Sequence, residues 1–154
     1  MAKKKTLPTR KALIAKLDRT FSKYIRLRDT HGGEYFRCIS CGKIKTKDKA
    51  DCGHFFSRRR LSVRWDEKNC HSECAACNRF DSEHLLYYRE NLIKKIGQKE
   101  FEALEVRANQ TSKISDFEID ALNTHYNNLI KILEKTQKSA ERQYNRMRKK
   151  DNSD

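Results

Sequence analysis

Four side chains able to work on a phosphodiester sit in a frame of four cysteines. Asp51, His54, Asn69 and Asn78 lie between, or directly after, the pairs Cys38-Ile39-Ser40-Cys41 and Cys74-Ala75-Ala76-Cys77. Hydrolysis of a phosphodiester needs a base to activate water, a cation on the scissile phosphate and help for the leaving oxygen. His54 is the natural base, since a neutral imidazole is available near pH 7. Asp51 offers a hard oxygen of the kind Mg²⁺ prefers. Asn78, one step past the last cysteine, could add a carbonyl oxygen to the same ion, so Mg²⁺ or Mn²⁺ is the expected catalytic cation. Asn69 could orient the imidazole or its loop. Arg58, Arg59, Arg60 and Arg64 follow the base and suit bidentate phosphate contact. Each residue also has a plainer use. His54 could be a fifth zinc ligand or a strand histidine, Asn69 and Asn78 turn or cap residues, and Asp51 the partner of a lysine. Their joint placement inside one cysteine frame favours catalysis. His71 stays open between metal ligand, phosphate contact and support for the frame.

The frame itself reads as a metal knot. Cys-x-x-Cys lets two sulfurs on a tight turn reach one ion, and two such turns complete a closed tetrahedral zinc site. Gly42, directly after Cys41, frees the backbone to turn. The 32 residues between Cys41 and Cys74 exceed a compact zinc ribbon and must build structure of their own. Cys52 and Cys70 are left over, and small buried apolar positions are the common fate of such thiols.

The elements that would position these residues follow from periodicity. Leu13, Ile14, Leu17, Phe21, Tyr24 and Ile25 recur at helical spacing after Pro8, which predicts a helix over about residues 9–28 closed by His31-Gly32-Gly33. Tyr35–Ile39 reads as a strand, Lys43–Asp48 as a polar loop, and Ala50–Phe56 as a second strand carrying His54. A loop runs from Arg58 to Asn69. One helix is expected from Cys74 to about Ile96, with Gly97 breaking it and Phe101, Leu104 and Val106 marking another. Ser115-Asp116-Phe117-Glu118 resembles a capping box and opens a long helix to about Lys150. Leu122, Tyr126, Leu129, Leu133, Ala140 and Met147 space it close to a seven-residue pattern, suited to packing on the domain or to pairing in a dimer. The class is α+β, with a basic N-terminal helix (1–33), a zinc-knot core (34–110) and a long helix with a basic tail (111–154).

Charge points to a polyanion. The chain has 154 residues and a formal net charge of +14. Residues 1–28 carry ten Lys/Arg against one acid, Asp18, while the bases of the last third crowd into Lys138–Lys150. Lys3, Lys4, Lys5, Arg146, Arg148, Lys149 and Lys150 are therefore expected to act as arms on nucleic acid. No apolar run approaches a membrane span. The basic start lacks an apolar stretch after it, so a reducing cytoplasm is the expected compartment, where cysteines serve as ligands or free thiols.

The pattern Cys38–Gly42, Asp51-Cys52-Gly53-His54-Phe55, Arg64–His71 and Cys74–Asn78, followed by Tyr88–Gly97, resembles the phage NinG (Rap) recombination proteins. More broadly it is similar to HNH nucleases. The resemblance covers roughly residues 10–135. It implies a small zinc-stabilised ββα-metal core of the treble-clef kind, flanked by the two terminal helices. His54 would be the general base, Asn69 would orient it, and Asn78 would bind the catalytic ion. The implied activity is structure-directed cleavage of branched DNA, such as Holliday junctions and D-loops, in a bacterial host's cytoplasm. Other recombination proteins, and a second copy through the C-terminal helix, are the further partners it suggests. Two departures stand out. A cysteine-containing N-terminal segment carried by many relatives is absent, and Gly53 separates Asp51 from His54, whereas the acid often directly precedes the base. The competing reading is a non-catalytic zinc-knot DNA-binding accessory protein.

Overall fold

Thr9 accepts a hydrogen bond from the Ala12 amide at 3.3 Å, and behind this cap the basic N-terminal sequence winds into α1, Arg10–Asp29. The structure, a computed structural model, describes residues 7–31 and 33–151, with the side chains of 144 and 147–151 left out. Lys3, Lys4 and Lys5 lie outside the described residues, as do the side chains of Arg148, Lys149 and Lys150. At the end of α1 a left-handed backbone position falls on His31, φ 49°; of the two glycines proposed for it, Gly32 lies outside the described residues.

Two antiparallel pairs follow. β1 (Tyr35–Arg37) pairs with β2 (Ile44–Thr46), so part of the expected polar loop is in fact a strand. All three β2 side chains are exposed, which removes the alternation that would have marked it. β3 (Ala50–His54) pairs with β4 (Cys70–Cys74), setting Asp51 opposite Glu73, Gly53 opposite His71 and His54 opposite Cys70. β4 is buried at every position, so it too shows no period of two.

The single helix expected from Cys74 to Ile96 is two: α2 (Ala75–Phe80) and α3 (His84–Ile96). Asp81 breaks the run in an extended conformation, and its carboxylate accepts from the Glu83 amide at 2.9 Å. Gly97, φ 85°, then turns the chain into α4 (Gln98–Ala108). α4 buries Phe101, Leu104 and Ala108, leaving Val106 on the outside, because the inward face continues four residues after Leu104 and not two. α5 (Asp116–Asp151) starts at the capping box: the Ser115 amide donates to Glu118 at 2.7 Å and the Glu118 amide to the Ser115 hydroxyl at 3.2 Å.

The first half of α5 packs on α1. Phe21 meets Tyr126 edge to face at 4.9 Å, and Leu17, Ile25, Ile119 and Ile130 bury around them with Trp65 and Cys70. A second cluster of Val63, Tyr88, Leu92, Phe101 and Leu104 sits under α3 and α4. A third gathers Phe36 and Ala50 around Cys38, Cys74 and Cys77. No described helix is long and apolar enough to cross a membrane.

Candidate metal centre and adjoining cleft

The four paired cysteines converge. The sulfurs of Cys38, Cys41, Cys74 and Cys77 all lie within 4.8 Å of one another. Gly42, φ 68°, donates its amide to the Cys38 carbonyl at 3.0 Å and closes the first turn. The Cys74 amide points at the Cys38 sulfur from 3.3 Å, a donor that favours thiolate. Burial outweighs the amides that point at it and leaves the Cys38 thiol pushed up to about 11; a bound cation would favour the thiolate. Four soft donors in one small space fit a structural metal, and zinc is compatible with them.

Next to this knot lies a polar cleft of about 380 Å³ lined by Asp18, Phe21, Ser22, Asp51, Cys52, His54, Arg58, Asn78 and Arg79. Asp51 and His54 come from β3 and Asn78 from α2, where Cys77 anchors the helix in the knot. The Asn78 amide nitrogen donates to Asp51 Oδ2 at 3.1 Å, which leaves its carbonyl oxygen for another partner. Arg79 grips Asp51 with two bonds of 2.7 Å, and this guanidinium holds the Asp51 carboxyl below its usual range.

His54 is half-buried, and burial lowers its pKa, favouring neutral imidazole. Its Nε2 faces the Arg64 carbonyl at 3.0 Å and its Nδ1 the Cys52 carbonyl at 3.3 Å. A neutral ring carries one proton, and the shorter bond assigns it to Nε2, so the Nδ1 lone pair is left as acceptor. The Arg64 carbonyl is held in turn. Asp18 on α1 takes the Arg64 guanidinium at 3.0 and 2.6 Å and the Trp65 indole at 2.9 Å. Burial works to raise the Asp18 pKa, but these donors outweigh it and the carboxyl sits below its ordinary value.

Asn69 is not on the imidazole. Fully buried, it accepts from the Phe56 amide at 2.7 Å and donates to the carbonyls of Phe56 and Val63 at 2.9 and 3.0 Å, tying down the loop after His54. His71 belongs to neither the knot nor the cleft. It is buried against Tyr88, with Nδ1 3.4 Å from the hydroxyl, and burial takes its pKa down to about 3. Among the arginines, Arg58 lines the cleft and Arg59 is exposed, whereas Arg60 caps the end of α4 at Ala108 and Asn109 and Arg64 holds Asp18. Arg146 is exposed on α5.

Gly53 has a steric reason to stand between Asp51 and His54. A Cβ there would lie 2.9 Å from the Glu73 Cβ and closer still to Oε2. Glu73 is fully buried and accepts from the Ser40 hydroxyl at 2.5 Å and from His84 Nδ1 at 2.7 Å. His84 lines an adjoining pocket that shares His54 and Asn78 with the cleft. Sequence reasoning missed Asp18, Arg79, Glu73 and His84. Asp18 did carry a signal, as the lone acid in a strongly basic helix; the Glu73–His84 pairing carried none.

A family profile described as Bacteriophage Lambda NinG protein matches residues 1–150. The chain is 34% identical over 104 residues to the ninG protein of Escherichia phage 933W, covering 67% of this chain and 49% of that one. It is 33% identical over 104 residues to the ninG proteins of Escherichia phage lambda, covering 67% of this chain and 48% of that one, and of Salmonella phage P22, covering 67% and 49%. The chain thus spans about half the length of these curated relatives. No solved structure matches it. On the profile match and these identities, the chain belongs to the phage NinG family.

Proposed function

We propose that the protein is a metal-dependent DNA endonuclease of the HNH kind, acting on branched recombination intermediates, with a structural zinc in the four-cysteine knot. The observation that carries this reading is the shared cleft, where a base from β3 and two oxygen-bearing side chains from β3 and α2 meet beside the knot. The order β3, β4, α2 is what a ββα-metal, treble-clef core would use.

His54 accepts the proton of the attacking water at Nδ1, while Nε2–H stays on the Arg64 carbonyl and keeps the ring oriented. Because burial holds its pKa below the ordinary value of 6.5, the ring stays neutral through physiological pH, and cleavage falls only at more acidic pH. Asp51 and Asn78 supply the hard oxygens for Mg²⁺ or Mn²⁺. Such an ion, when bound, would polarise the scissile phosphate and stabilise the leaving oxygen. Arg79 must release Asp51 for this. Arg79 is 59% exposed and can turn out to solvent, while Asp51, 19% exposed, stays in the cleft for the ion. Arg58, at the mouth, is suited to a flanking phosphate. Asn69 acts by fixing the loop between the strands.

The Arg79–Asp51 pair also favours the second reading, a zinc-knot DNA-binding accessory protein in which Asp51 stays an ion-pair partner. A cleavage assay on a four-way junction, a flap and linear duplex, with and without Mg²⁺, separates them. Mg²⁺-dependent cutting that prefers branched substrates supports the nuclease. Retarded mobility of the same substrates without strand scission supports the accessory.

A further inference from the structure

Two cysteines are used by neither the knot nor the hydrolytic reading, and they share a sheet face with the base. Cys70 stands directly opposite His54 across the β3–β4 ladder, and Cys52 lies two residues before His54 on the same face. The two sulfurs and an imidazole nitrogen lie within 4.8 Å of one another. Cys70 is fully buried, and Cys52 and His54 are half-buried and line the cleft.

We propose that Cys52, His54 and Cys70 form a second metal site, selective for a soft divalent cation such as Zn²⁺, with its fourth position open to the cleft. Two thiolates and an imidazole are a zinc donor set, and a site with three protein ligands keeps a place for water. Softness separates it from Asp51 and Asn78, whose oxygens suit Mg²⁺ or Mn²⁺. An imidazole that binds a metal through one nitrogen usually donates its other N–H to a carbonyl or carboxylate, and Nε2 of His54 has that partner in the Arg64 carbonyl at 3.0 Å. Binding replaces the two thiol protons, which leave to solvent, and the ion compensates the two thiolate charges in a partly buried place. The site would also withdraw the His54 lone pair from water. A soft cation would then repress cleavage while Mg²⁺ supports it. That consequence rests on the nuclease reading; the existence of the site does not.

The test counts ions. The purified, zinc-loaded chain is dialysed against Co²⁺ under reducing conditions, and bound metal is measured by elemental analysis beside the absorption spectrum. The wild type is expected to take up one ion more than the Cys52→Ala, Cys70→Ala double variant, with a thiolate charge-transfer band beyond any that the knot gives in both proteins. Should the double variant fold poorly, Cys52→Ala alone, altering only a half-buried side chain at the cleft, is expected to lose the same band. Equal metal content in wild type and variants overturns the site. So does recovery of a Cys52–Cys70 disulfide from protein kept reduced, because the sulfurs then serve a bond and not an ion. If DNA is never cut but the extra ion binds, the nuclease reading fails and the site stands.

Discussion

The knot and the cleft share a boundary of one residue, Cys77 to Asn78, yet they are built on opposite terms. The knot is soft and largely buried: four sulfurs within 4.8 Å, three of their residues buried, delivered by the turn at Cys38–Gly42 and by the junction of β4 with α2. The cleft is hard, polar and open, and its walls come from α1, β3, the loop after β3 and α2. One region holds the chain together; the other is held by it. Disabling the knot should therefore cost fold and site together, whereas disabling the cleft should spare the fold.

The largest effect is expected at the knot. Cys77→Ser, or prolonged chelation, removes a structural ion whose contribution in small metal domains is on the order of 10 kcal/mol. Loss of the cooperative thermal transition together with bound zinc is the expected result, and an unchanged Tm in zinc-free protein would break the comparison. A smaller loss is expected on acidification. His71 has its folded pKa at about 3 against an ordinary 6.5, so the folded state binds fewer protons than the unfolded one between those values. Stability present above pH 6.5 is lost as pH falls toward 3, by up to about 1.4 kcal/mol per unit. The knot's thiolates protonate in acid as well, so the measurement compares slopes. His71→Gln should flatten the dependence of Tm on pH relative to wild type, and superimposable slopes would contradict the burial argument.

Asn69 sharpens the comparison from the cleft's side. Asn69→Ala orphans the Phe56 amide and frees the Phe56 and Val63 carbonyls, at a cost of about 2–3 kcal/mol. Denaturant unfolding should show that loss with zinc content intact, and the loop after His54 should become sensitive to protease. The smallest effect is expected at Arg79. Arg79→Ala should leave Tm where it is and lower the Mg²⁺ concentration needed for half-maximal cleavage, because Asp51 is then free. An increased Mg²⁺ requirement would mean that Arg79 helps the site and does not block it.

The same contrast explains how much was legible in the sequence. The knot's ligands follow from spacing alone, because both sulfurs of each pair are three residues apart and the turn is local. The capping box at Ser115 and the inward face of α1 were legible for the same reason. The class α+β and the grouping of Asp51, His54 and Asn78 followed from the frame, but their neighbours did not. Asp18 reaches Arg64 from 46 residues away, and Glu73 meets His84 across a helix break that periodicity ran straight through. β2 and β4 escaped because one is wholly exposed and the other wholly buried, so neither alternates. Asn69 reads in the sequence as orienting either the imidazole or its loop, with the family resemblance favouring the imidazole; in the fold its side chain bonds the loop after His54.

The central claim is that the knot builds the site and the cleft does the cutting. Its most direct test is His54→Ala, assayed for cleavage of a four-way junction in Mg²⁺ and, on the same preparation, for zinc content and Tm. The account predicts cleavage lower by about 10²–10⁴-fold, the usual worth of a general base, with the knot's zinc, Tm and junction binding retained. Cleavage at the wild-type rate would contradict it.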